Sequence, residues 1–197
     1  LMRGLSVPLG VLGMNAKATA TLAGVLISLV GALAGMFALY DLTKDQLGDD
    51  GGLRAAFYLL IFPSGFFLAQ VFSEGLFIGL AFGCLALLRR RQLVYAGILA
   101  MLAVWTRGVG LALLPPLLIV WWQMVDWAQV RGNRRYWQQL GLRALAVLLP
   151  IIAYLLWRAV LGVKFDYVED HHFGRALLNF DRVMDGWNVM FEAIRTG

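Results

Sequence analysis

The sequence predicts an all-α fold: a polytopic transmembrane helical bundle with short helices paired at polar reversals. Three observations predict it. Of the 197 residues, 60% are hydrophobic and only 15% charged, where a soluble domain carries about 25%. Mean hydropathy is +0.73. Apolar runs long enough for one or two bilayer crossings also alternate with short charged clusters. A net charge of +5 invites a nucleic-acid reading, but the basic residues sit between apolar runs, where the positive-inside rule accounts for them. Cys84 is the only cysteine. No intrachain disulfide can form, and its apolar setting marks it as a small packing residue.

The first residues, LMRGLSVPLG, lack the charged and apolar regions of a signal peptide. We expect an internal fragment of a longer protein, cut at its N-terminus and, since the end offers no helix stop, at its C-terminus too. About six spans are expected over residues 1–163, followed by an extracytoplasmic amphipathic segment over 164–197.

Ala16 to Leu42 is the clearest span, and its Gly24, Ser28, Gly31 and Gly35 suit close helix packing. The acidic, Gly-rich stretch DLTKDQLGDDGGL, from Asp41 to Leu53, predicts a loop. Arg54 to Leu88 is too long for one simple span. We expect two short helices meeting at Ser73-Glu74, the first disturbed by Pro63 and Gly65. After Arg89-Arg90-Arg91 the pattern repeats from Leu93 to Trp122, with Thr106-Arg107-Gly108-Val109-Gly110 as a second polar reversal. The basic VRGNRR at 130–135 precedes a further span, Leu140 to Val163, that contains Pro150. If both basic loops are cytoplasmic, Glu74, Arg107 and the tail lie on the extracytoplasmic side. In the tail, Leu177, Leu178, Val183, Met184, Trp187, Met190, Phe191 and Ile194 recur at helical spacing among charged residues, as in a surface-lying amphipathic helix.

Three polar features then share one membrane face: Ser73-Glu74, Thr106-Arg107, and the run from Glu169 to Arg175 that holds Asp170, His171 and His172. A carboxylate at membrane depth costs about 2.5–3.5 kcal/mol, so it persists where it meets water, a partner or a substrate. Arginine presents a planar fork of donors that matches phosphate oxygens. Together these groups suit a ligand with an anionic head and an apolar tail. Glu74 and Asp170 are the candidate catalytic carboxylates, Arg107 and Arg175 the phosphate ligands, and Ser73, Thr106, His171 and His172 the pocket. Other readings stay open: Glu74 pairing helices, Arg107 snorkelling to headgroups, and Asp166, Glu169 and Asp170 as a solvated acidic face. Adjacent histidines without a spaced partner do not make a metal site.

The segment FPSGFFLAQVFSEGLF, with the later WTRGVGLALLPPLLI, resembles the PIG-V-like mannosyltransferases, integral membrane glycosyltransferases of the GT-C fold. The match runs through Phe62, Pro63, Phe66, Phe67, Phe72, Ser73, Glu74, Leu76, Phe77, Thr106, Arg107, Gly110, Leu113 and Pro116, and Phe173-Gly174-Arg175 is similar to the family's aromatic-Gly-Arg. The resemblance covers roughly residues 54 to 175. It implies transfer of a mannose-type sugar, with inversion, from a polyprenyl-phosphate-linked donor to an extracytoplasmic acceptor, without a cofactor. The family's principal acidic residue stands in a Trp-Asp context after a first span, and neither is present in this sequence. The catalytic base is therefore expected outside this chain. Short loops and the absence of N-glycosylation sequons favour a bacterial inner membrane. The alternative is a non-catalytic lipid-phosphate binder or transporter subunit.

Overall fold

The computed structural model describes residues 15–62, 65, 68, 70, 73–126, 134–172, 187–188, 191–192 and 195, without the side chains of 134–135, 137–139 and 161–172. Every regular element among them is helical: α1 (Ala16–Ile61), α2 (Glu74–Arg89), α3 (Leu93–Thr106), a 3-10 segment (Gly108–Leu113), α4 (Leu114–Gln123) and α5 (Arg134–His172). The chain divides into two compact units, Leu1–Leu156 and Trp157–Gly197.

The side chain of Asn15 caps α1 by accepting from the Ala18 N–H at 2.8 Å. The helix breaks once, at Gly48, whose φ of 72° and ψ of 174° fall in a region essentially restricted to glycine. The break reverses the chain. A Cβ on Gly52 would lie 2.7 Å from the Tyr40 ring, whereas twelve residues of unbroken helix would separate the two by about 18 Å. Tyr40 also donates its hydroxyl to Asp49 at 2.7 Å across the bend.

This corrects the loop expected from Asp41 to Leu53. The stretch is helical on both sides of Gly48 because its charges find partners. Asp41 pairs with Lys44 at 2.9 Å and with Arg90 at 2.7 Å, and Asp45 pairs with Arg89. Arg89 Nη1 also donates to the Leu42 carbonyl at 2.7 Å. The acidic stretch and the basic turn thus meet at one end of the bundle.

The return limb of α1 stops at Ile61, with Phe62 as its cap. This differs from the helix expected to continue to Ser73. The residue before a proline is pushed out of helical geometry, and Phe62 (φ −56°, ψ 142°) stands before Pro63. The helix after the reversal starts where expected, at Glu74.

Small residues then set the packing. A Cβ on Gly31 would meet the Leu76 Cα at 2.5 Å, and one on Gly79 would run into the Gly31 carbonyl. Gly35 lies against Ile78 and Gly79. Contacts therefore advance along both helices in the same sense, so α1 and α2 run parallel, each with a Gly-xxx-Gly face turned to the other. The buried Ser28 donates to the Leu68 carbonyl at 2.9 Å and fastens the segment before α2 onto α1.

Helix α3 folds back antiparallel to α2 through the Arg90–Gln92 turn, in which Arg91 takes a positive φ of 58°. Ala96, Ala100 and Ala103 face a core with Cys84, Leu88, Leu113 and Leu117. Pro150 lies inside α5, and its missing N–H frees the carbonyl four residues earlier. That residue is Ala146, and Gly97 of α3 packs directly on its carbonyl. Further along, Trp105 Nε1 donates to the Ala153 carbonyl at 3.2 Å.

Among the described residues, two helices have the length and composition to cross a membrane: α1, and α5 over Leu140–Val160. Only 33% and 28% of their apolar windows are buried, unlike core helices of a water-soluble protein. Leu33, Phe37, Leu148 and Leu155 point outward. Helices α2, α3 and α4, of 16, 14 and 10 residues, are shorter than the roughly 20 residues of a simple crossing.

In the second unit the Trp187 and Phe191 rings lie 5.5 Å apart at 58°, the one-turn spacing expected of the tail helix. The remainder of that expectation lies outside the described residues.

Replacing Gly79 by Leu is expected to cost about 1–3 kcal/mol through overpacking, read by reversible unfolding in mixed micelles. Gly108→Ala, where an added Cβ meets nothing within 4 Å, should leave stability unchanged. The Asp41 carboxyl is held below its ordinary 3.8 by hydrogen bonding to Lys44, against desolvation, with Arg90 adding to the lowering. Its folded value lies below its unfolded one, so its contribution to stability is complete above about pH 4 and fades as pH falls through the lowered value. Asp41→Asn should lower the melting temperature at pH 7 and narrow the further loss seen on acidification.

Candidate functional site

Both reversals expected to carry chemistry come together. Glu74 opens α2 and Arg107 follows the last residue of α3, and an antiparallel hairpin brings its two open ends to one level. Arg107 leaves helical geometry there (φ −151°, ψ 133°) while its N–H still bonds the Ala103 carbonyl. The extended backbone turns its side chain toward Glu74, and Nη1 lies 2.8 Å from Oε1.

The pair is incompletely matched. Glu74 Oε2 is buried and has no hydrogen-bond partner among the described residues. Arg107 is 43% exposed, and a guanidinium carries five donors, so most of its hydrogen-bonding capacity is unused by this single contact. A bidentate pair would have satisfied both oxygens. The arrangement can therefore accept an anion at Arg107, while Oε2 is short of a donor.

Gly75 makes room for this corner, because a Cβ there would meet Ser28 Oγ at 2.6 Å and the Leu68 carbonyl at 3.0 Å. Ser73, in the N-cap position and exposed, makes no capping bond with its side chain. The Thr106 hydroxyl donates back to the Ala103 carbonyl at 2.7 Å and keeps its lone pairs. Asp170, His171 and His172 end α5 in the second unit, with side chains outside the described residues, and Arg175 is likewise outside them. The structure thus joins Glu74 to Arg107, flanked in the chain by Ser73 and Thr106, while the 169–175 run belongs to the second unit.

Sequence reasoning missed the supporting role of Ser28 and Gly75. Their signal was a hydroxyl in a small-residue run and a glycine directly after the carboxylate.

No protein-family model, curated protein or solved structure matches the chain.

The coupling within the pair is measurable by a double-mutant cycle of Glu74→Gln and Arg107→Gln. With both side chains partly buried, we expect about 1–2 kcal/mol, between the 0.2–1 of exposed pairs and the 3–5 lost on breaking buried ones.

Proposed function

We propose that the chain is the scaffold and donor-phosphate half of a GT-C-type, PIG-V-like membrane glycosyltransferase. It moves a mannose-type sugar from a polyprenyl-phosphate-linked donor to an acceptor on the extracytoplasmic face of a bacterial inner membrane. The single observation that carries the reading is the Glu74–Arg107 pair: a half-exposed guanidinium beside an incompletely bonded carboxylate, at the end of an apolar hairpin and within the motifs that resemble that family.

In the reaction, the acceptor hydroxyl oxygen bonds to the anomeric carbon as the bond from that carbon to the phosphate oxygen breaks. The bonding pair leaves with the polyprenyl phosphate, and a carboxylate takes the hydroxyl proton. Arg107 stabilises the charge that grows on the leaving phosphate. Glu74 orients the sugar or receives the proton, with Ser73 and Thr106 beside the pair in the chain.

The same half-exposed guanidinium also supports a second reading, a non-catalytic lipid-phosphate binder.

In proteoliposomes that hold the complete protein and are supplied with mannosyl polyprenyl phosphate and an acceptor, Glu74→Gln and Arg107→Ala should each lower turnover at least about 100-fold, with insertion unaffected. Full activity in both variants would remove the site assignment. Donor binding without turnover by the complete, unaltered protein would establish the second reading.

A further inference from the structure

We propose that Glu74 is a specificity-determining residue that keeps bare phosphate headgroups off Arg107 and admits those with a hydrogen-bond donor beside the phosphate. The inference rests on reading Arg107 as the phosphate site. Without ligand, Arg107 is not an open cation, because Nη1 already lies 2.8 Å from Glu74 Oε1. A phosphate that reaches the guanidinium also meets a carboxylate, and like charges brought together at one partly dehydrated corner repel. Something in the ligand must offset that repulsion.

Oε2 supplies the means. It is buried and without a hydrogen-bond partner among the described residues, and an acceptor left in that state is costly. Once the carboxylate turns outward, a headgroup that brings a hydroxyl satisfies this oxygen while its phosphate engages the unused donors of Arg107. Arg107 is the more exposed partner, at 43% against 25%, so ligand reaches the pair from its side and draws the guanidinium off Oε1 as it binds.

A glycosyl phosphodiester carries one negative charge together with sugar hydroxyls. The bare polyprenyl monoester carries about −1.5 to −2 and no sugar hydroxyl; its dianion, the dominant form above the second pKa of about 6, meets more repulsion and returns nothing to Oε2. Glu74 thereby favours the sugar-bearing lipid over the bare lipid phosphate that remains once the sugar has gone.

The test uses the full chain in lipid nanodiscs and measures the affinity of polyprenyl phosphate and of its mannosyl diester. We expect the unaltered protein to prefer the diester by about tenfold or more, and Glu74→Gln to tighten the bare phosphate by about tenfold so that the preference collapses. Arg107→Gln should lose both lipids. Equal affinities in the unaltered protein, a comparison that needs no variant to fold, would overturn the role of Glu74 while leaving Arg107 as the phosphate site. That role is overturned equally if Glu74→Gln weakens binding of the bare phosphate or leaves it unchanged. Binding of neither lipid by the unaltered, folded protein would overturn the phosphate reading itself.

Discussion

Backbone contact between α1 and α2, possible because Gly31, Gly75 and Gly79 carry no side chain, governs the rest of the first unit. Lipid tails are as apolar as leucine, so little hydrophobic force drives two helices together in a bilayer, and close van der Waals packing has to serve instead. The contact also fixes a parallel register. With Gly31 opposite Leu76, Ser28 falls opposite Leu68 and anchors the segment that leads into Glu74. At the other end the same register brings Arg89 and Arg90 to Asp45 and Asp41. The fold of α3 against α2 then carries Arg107 back to Glu74.

Much of this organisation was legible before any coordinates. The small residues of the first span marked a packing face, and Gly31 and Gly35 do pack. Ser73-Glu74 and Thr106-Arg107 marked chain reversals, and helices begin and end there. What failed was composition used as a proxy for conformation. DLTKDQLGDDGGL looks like a loop because aspartate and glycine favour turns in isolation. In the folded chain Asp41 and Asp45 are held by arginines nearly fifty residues away, and a single glycine makes the reversal. Local pattern does not report such distant partners. Pro63 was read correctly as a disturbance, yet its effect was an early helix end at Ile61 rather than a loosened helix.

The site was legible in part for a related reason. A carboxylate and an arginine in two apolar runs announce themselves by their cost in lipid, and parity of the crossings placed them on one face. Sequence alone could not say that they touch, nor that among the described residues Glu74 Oε2 has no partner and Arg107 keeps donors in reserve. The run from Glu169 to Arg175 shows where residue type stops being informative. Its side chains suit the same chemistry, but type and spacing do not position a segment that belongs to a separate compact unit.

The charges at the Asp41 end bear on how such a chain is built. The bias that orients membrane segments counts lysine and arginine in the nascent chain, with little regard for acidic neighbours, and at that stage Arg89, Arg90 and Arg91 count as three. After folding, Asp45 and Asp41 hold the first two. In a chain inserted into a membrane the same arginines would act twice, first as an address read during insertion and then as struts between helices. A lysine–arginine exchange in this turn would preserve the address and weaken the struts, so correct insertion and correct packing are separable properties of one short sequence.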